Sequence, residues 1–291
     1  MNRRRFLQIT AAAALAPLGA RAEETRVALG AEARMTLYGP PALTSRARAR
    51  AWAEIARIES VFSLYDPSSS LSRLNASGRL DSPPPELLEV LALSARLHEA
   101  TGGRFDPTVQ PLWLALAGGG DASAAQALIG WKGVAFGPEA VTLRPGQALT
   151  LNGIAQGYAT DRVTQVLAAE GLTHALVEFG EFRALSGPFR LGVEDPAFGR
   201  LGQVTLDGTA AATSSPGALT LPGGSSHILD PWGGVPHWST VTVRAPTAAL
   251  ADALSTALCL ADASAARGVL TALGPGLHAT AITLDGDLLT L

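Results

Sequence analysis

Asp252 and Thr256 stand four residues apart in Ala251-Asp252-Ala253-Leu254-Ser255-Thr256, a stretch whose apolar spacing predicts a helix. Residues i and i+4 share one helix face, so a carboxylate and a hydroxyl would sit side by side. Joined by a backbone carbonyl, they make a hard oxygen site of the kind Mg²⁺ takes. The same spacing is common in helices that bind nothing. Upstream, Ser226-His227-Ile228-Leu229-Asp230-Pro231 places an imidazole three residues before a carboxylate. An imidazole titrates near neutral pH, which suits proton transfer. His227, Asp230 and His237 match no usual zinc spacing.

Three further clusters could meet a ligand. In Leu151-Asn152-Gly153-Ile154-Ala155-Gln156-Gly157-Tyr158 a turn with two glycines leads into a helix. Helix N-termini carry unpaired N–H groups and partial positive charge, which suit a phosphate. The pattern is neither a dinucleotide-binding fingerprint nor a P-loop, so a purely structural turn is the competing reading. In Thr101-Gly102-Gly103-Arg104-Phe105-Asp106-Pro107 the glycines allow close backbone approach. Asp106 either accepts a hydrogen bond from a base or sugar, or caps a turn. Finally, Phe62-Ser63-Leu64-Tyr65-Asp66-Pro67 follows a helix and reads as a capping loop around a core Phe.

The elements that position these clusters alternate irregularly. Helices are predicted over 43–62, 83–100, 123–129, 153–170, 248–260 and 263–273. Strands are predicted over 25–38, 173–179, 189–194, 202–206 and 241–243, with short strands in 134–151 and a terminal hairpin over Asp285-Gly286. No clean strand–helix–strand repeat runs through them. The fold class is therefore expected to be α+β, one domain of mixed sheets and helices. The Gly/Ser/Pro-rich stretch 213–226 lies inside that domain and reads as a mobile loop at a site.

Apolar residues make up 47% of the 291 residues and charged residues 16%, which predicts a packed core and excludes a disordered chain. The net charge of −3 offers no basic field for nucleic acid. Basicity is carried by arginine, since Lys132 is the only lysine. Cys259 is the only cysteine, so no intramolecular disulfide and no thiolate zinc site can form, and its apolar neighbours predict burial.

Residues 1–22 read as an export signal. Arg3, Arg4 and Arg5 precede a short apolar run, and Ala20-Arg21-Ala22 fits a signal-peptidase site. Consecutive arginines before Phe6 and Leu7 resemble a twin-arginine leader. The apolar run is too short to span a bilayer, and no nearby Cys could take a lipid. Cleavage removes four arginines and no acid, taking the charge from −3 to −7. Residues 23–291 are then the working domain, expected to be soluble in the periplasm.

Taken in order, the clusters resemble the FAD:protein FMN transferases, the ApbE family of flavin transferases. The resemblance rests on Phe62–Tyr65 with Leu71–Asn75, Gly103–Val109, Gly153–Asp161, Ser226–Pro231, and Ala245–Thr247 with Ala251–Ala257. It implies an enzyme that splits FAD at its pyrophosphate, attaches FMN to a threonine of a partner protein and releases AMP. It implies Mg²⁺ on the Ala155 carbonyl, Asp252 and Thr256. His227 is then the candidate for activating the acceptor hydroxyl, with Asp230 orienting the ring or binding ligand. Tyr65 would stack on the isoalloxazine, Asp106 would lie near the adenosine, and Gly153 and Gly157 would admit the phosphates. Gln156 stands where the family carries Lys, so one positive charge beside the phosphates is missing, although Gln can still donate a hydrogen bond. Arg183 is the candidate replacement. The implied partner is a membrane or exported electron-transfer subunit with a Ser/Thr-rich motif, and the twin-arginine machinery serves export. Two other readings remain: FAD hydrolysis to FMN and AMP, and a periplasmic FAD-binding protein without catalysis.

Overall fold

The computed structural model describes residues 20–119 and 122–291. Arg3 to Leu7 and the apolar run of the expected export signal lie outside them. Arg21 and Ala22 open strand β1 (Arg21–Ala28), which turns back into β2 (Ala31–Tyr38). The single strand expected over 25–38 is thus two strands, the end of β1 and all of β2, folded into a hairpin. Its two-residue turn, Leu29-Gly30, has positive φ at both positions, 51° and 74°. A two-residue hairpin turn of this kind needs that geometry, and Asn-Gly usually supplies it. Leu at the first position hid the turn.

The first long helix, α1 (Pro41–Phe62), buries Ala47, Ala51, Ile55, Ile58 and Val61, a three-and-four spacing that makes one apolar stripe. A short helix α2 (Ser70–Ser77), a strand β3 (Arg79–Asp81) and the helix α3 (Pro85–Ala100) follow. Then come α4 (Gln110–Gly118) and α5 (Ala122–Gln126), and two short strands, β4 (Ala135–Phe136) and β5 (Ala140–Thr142). β3, β5 and β4 form a small antiparallel sheet whose Leu80 and Val141 reach the main core.

The second half holds α6 (Ala155–Ala169), β6 (His174–Glu178), β7 (Phe182–Ala184), β8 (Phe189–Asp195), β9 (Gly199–Leu206) and β10 (Ala210–Ser214). It ends with β11 (Thr240–Ala245), α7 (Ala248–Leu258), α8 (Ala263–Leu273), β12 (His278–Ile282) and β13 (Leu288–Thr290). The stretch 213–226 expected as a loop therefore begins as strand. Beyond Ser214 it holds a short 3₁₀ turn and a bridge between Thr220 and Ser226.

Eight strands form one antiparallel sheet in the order β1-β2-β6-β7-β10-β11-β12-β13. The α+β expectation holds. Side-chain alternation divides each central strand between two cores. Ala175 and Val177 of β6, Ala212 of β10, and Val241 and Val243 of β11 join the helices in the main core. Leu176, Phe182, Ala184 and Ala211 point the other way and pack under Phe189, Leu191 and Leu206 of the β8–β9 hairpin. The sheet is thus covered on both faces at its centre, by helices on one side and a hairpin on the other. Among the described residues no helix is long and apolar enough to cross a membrane.

Candidate functional site

The candidate site begins where α6 and α7 cross. A Cβ on Gly157 would collide with the backbone carbonyl of Ala248, so only glycine lets the helices approach this closely. From the crossing, α7 runs back along α6. Asp252 lies one turn on, 4% exposed, with Oδ2 accepting the Gly157 N–H at 3.1 Å. Thr256 lies a further turn along, its Oγ1 3.2 Å from where a Cβ of Gly153 would stand. The helix predicted from Asp252 to Thr256 does place carboxylate and hydroxyl on one face, and that face looks at the start of α6.

The other end of the crossing is closed by Asp161 of α6. Its Oδ1 and Oδ2 accept the N–H groups of Ala248 and Ala249 at 2.8 and 3.0 Å, and it also pairs with Arg183. The next N–H of α7, that of Leu250, reaches Thr247 Oγ1. Burial pushes the Asp161 carboxyl up, while Arg183 and the two N–H groups pull against it. Arg183 was expected to replace charge beside a phosphate. Its guanidinium instead engages Asp161, about 9 Å along α6 from Ala155 at 1.5 Å per residue.

Gly157 and Gln156 also make structural contacts. Gly157 serves the helix crossing, and its N–H is taken by Asp252. Gln156 is buried, and its Nε2 donates to the Leu29 carbonyl at 3.3 Å. The Leu29 N–H donates to Glu59 Oε1 at 2.7 Å. Side chains from α1 and α6 therefore hold both backbone polar groups of Leu29, a residue in the left-handed region. Tyr65 lies against this turn, its ring 3.9 Å from where a Cβ of Gly30 would stand, and it is 72% exposed. Ser63 Oγ, accepting the Tyr65 and Asp66 N–H groups, fixes the approach of that loop. An aromatic face with this exposure is a stacking platform. Glu59 and the Leu29-Gly30 turn were not singled out from sequence; the available signal was an acid in the last turn of the helix leading to Tyr65.

The remaining clusters close around the same end of α6. Phe105 lies 3.6 Å from the missing Cβ of Gly153, and Thr150 N donates to the Pro107 carbonyl. Asp106 is 7% exposed and caps the turn at Pro107–Val109, accepting from Thr108 N at 2.8 Å and Thr108 Oγ1 at 2.6 Å. The turn-capping reading of Asp106 thus has direct support. The Trp232 indole covers Gly103, where a Cβ would be 2.8 Å from the ring, and Gln126 donates to the Pro231 carbonyl. These contacts bring the Gly103 loop against the His227–Trp232 segment.

His227 is half-buried, with Nδ1 3.1 Å from the Leu219 carbonyl. A carbonyl oxygen only accepts, so Nδ1 carries the proton and the neutral ring keeps its lone pair on Nε2. Asp230 Oδ1 accepts the Trp232 N–H at 2.7 Å and thereby shapes the turn that follows. A hydroxyl chain reaches Thr256 from the sheet: Ser214 Oγ lies 2.7 Å from Ser255 Oγ and 3.3 Å from Thr256 Oγ1. Burial pushes the Cys259 thiol up, and its Sγ donates to the Ser214 carbonyl, in line with a core role.

Among the described residues no three His, Cys, Asp or Glu gather as metal ligands. A cation here would be held by one carboxylate and neutral oxygens. The Asp252 carboxylate, the Thr256 hydroxyl and the Ala155 carbonyl are such a set, all hard donors, and they fit Mg²⁺.

The chain matches the family described as "ApbE family" over residues 29–281. An FAD:protein FMN transferase of Escherichia coli K12 is 27% identical over 263 residues, spanning 79% of this chain and 74% of that protein. The crystal structure of the ApbE protein of Thermotoga maritima superposes with a TM-score of 0.83 at 26% identity, covering 93% of this chain and 97% of that one. The apo flavinyl transferase ApbE of Pseudomonas stutzeri gives 0.80 at 26% identity, covering 94% and 95%.

Proposed function

Because this chain belongs to the ApbE family, we propose that it transfers FMN from FAD to a threonine hydroxyl of a partner protein and releases AMP. The observation that carries this reading is the meeting of Asp252 and Thr256 with the start of α6, one helix away from the Tyr65 platform. Such a site faces two demands: to neutralise a pyrophosphate and to position an attacking hydroxyl. Mg²⁺ bound by the Ala155 carbonyl, Asp252 and Thr256 would supply positive charge that Gln156 and Arg183 do not.

Tyr65 stacks on the isoalloxazine and orients the flavin half of FAD. The Nε2 lone pair of His227 takes the proton of the acceptor hydroxyl as its oxygen bonds to the flavin-side phosphorus. The bond from that phosphorus to the bridging oxygen breaks, and AMP leaves with that oxygen. Asp230 holds the turn behind the imidazole. The reading extends to place: the arginines at 3–5 and the Ala20-Arg21-Ala22 site support twin-arginine export to the periplasm. The acceptor is then an exported or membrane electron-transfer subunit with a Ser/Thr-rich motif.

The test is incubation of the protein with FAD, Mg²⁺ and a candidate acceptor domain, followed by denaturing electrophoresis. Flavin fluorescence on the acceptor band, lost when its threonine becomes alanine, is the expected result. AMP without labelled acceptor would replace transfer by hydrolysis, and intact FAD would replace both by binding.

A further inference from the structure

The outer face of the large sheet carries a second concavity, separate from the residues above. It encloses about 110 Å³ between the β8–β9 hairpin and strands β11 and β12. Antiparallel register sets Arg244 opposite His278 and Thr242 opposite Thr280. The two pairs are two residues apart on each strand, so they share one face. Val243, between Thr242 and Arg244 on β11, and Val241, just before them, point into the main core beside α7. The sheet therefore separates this cavity from Asp252 and Thr256.

The chemistry of the wall is specific. Arg244 is half-buried and makes no ion pair or side-chain hydrogen bond among the described residues. Its guanidinium nitrogens stay accessible at the cavity, and the planar fork matches the oxygens of phosphate or carboxylate. Thr213 Oγ1 lies 2.8 Å from Thr242 Oγ1. If Thr213 donates, the Thr242 hydroxyl proton is directed to the cavity. Val204 and Val193 give the opposite wall an apolar surface. At roughly 30 Å³ per water, the space matches one small oxyanion in place of three or four waters.

We propose that this cavity binds a small oxyanion of the phosphate class, held by the Arg244 guanidinium with the Thr242 and Thr280 hydroxyls and the His278 ring. The site is independent of the flavin chemistry. The ion is either free phosphate or the head of a phosphomonoester whose ester arm leaves through the mouth.

Phosphate titrated into the full chain at constant ionic strength, followed by calorimetry and thermal unfolding, tests this. Saturable binding that raises Tm is expected, and it persists under saturating FAD, which fills the other site. R244Q should weaken it by roughly tenfold or more, and R244K by less, since a point charge replaces the fork. T280V, on the neighbouring strand, gives an independent weakening if R244Q folds poorly. Glycerol phosphate binding like phosphate assigns a monoester, whereas phosphate alone assigns the free ion, and either result upholds the site. Absence of saturable binding, binding displaced by FAD, or binding unchanged in R244Q overturns it.

Discussion

Asp161 and Asp252 cap each other's helices: the first, on α6, closes the N-terminus of α7, and the second, on α7, takes an N–H from the first turn of α6. Each carboxylate sits at the positive end of the neighbouring helix dipole, which stabilises its charge. The pair explains why two buried acids persist in the middle of a helix crossing. It also separates their duties, since Asp161 engages Arg183 whereas Asp252 stands beside Thr256.

Asp252→Asn keeps an oxygen for the Gly157 N–H and removes the charge. Stability should fall by about 1 kcal/mol, while covalent transfer of FMN should be lost. Urea unfolding and in-gel flavin fluorescence separate the two effects. Chelation with EDTA should reproduce the loss of transfer in the unaltered protein, with recovery on adding Mg²⁺. Transfer that survives both treatments would remove Asp252 from the proposed ligand set.

His227→Gln should lower the single-turnover transfer rate by roughly 10²- to 10⁴-fold, the usual contribution of a general base. FAD affinity should stay within about twofold, because the ring is assigned to the acceptor proton. Stopped-flow transfer and flavin fluorescence titration check the split. A parallel loss of FAD affinity would give His227 a binding role.

Glu59→Ala frees the Leu29 N–H and loosens the turn under Tyr65. The expected outcome is a raised KM for FAD, by roughly tenfold, one hydrogen bond to a charged group, with kcat little changed. Glu59→Gln keeps an acceptor oxygen and should recover most of the loss. A kcat effect without a KM effect would contradict the positioning role of this turn.

Glycine 157 admits no side chain. Gly157→Ala pushes a methyl into the Ala248 carbonyl and should cost about 1–3 kcal/mol, as overpacking does. Gly153→Ala meets Thr256 Oγ1 at 3.2 Å and should cost less. Chemical denaturation of both variants ranks them; equal stability would mean the helices separate freely.

Glu178 gives stability a pH dependence. Burial raises its carboxyl to about 7 from 4.5, against the attraction of Arg34. The folded state therefore holds this proton more tightly than the unfolded chain. The resulting stabilisation is complete below about pH 4.5 and is lost as pH rises through 7, at no more than about 1.4 kcal/mol per pH unit. Glu178→Gln lacks this loss, so the variant should gain on the unaltered protein between pH 5 and 7. A difference independent of pH would refute the assignment.

Much of this was legible in the residues. The apolar stripe of α1, the prolines before α3 and the Asp252–Thr256 face of α7 follow from spacing alone. The β1–β2 turn was missed because leucine occupies a position that asparagine usually fills. β10, reading Ala-Ala-Ala-Thr-Ser, was missed because small residues carry little strand preference, and its pairing with β11 decides the matter. The clusters of the site were visible, but their joints were not. Gln156 and Leu29 are 127 residues apart, and no local pattern announces that one side chain will hold the other's carbonyl.

The helix crossing at Gly157 has a thermodynamic consequence. Backbone contact and two reciprocal caps leave α6 and α7 no freedom to slide, so the spacing of Ala155, Asp252 and Thr256 is set before any ligand arrives. The entropy of assembling those oxygens is spent during folding rather than during binding. A preorganised cage of this kind needs little reorganisation energy at the moment of reaction. In the proposed Mg²⁺ site, such a cage would let a single carboxylate serve where a looser arrangement would require more.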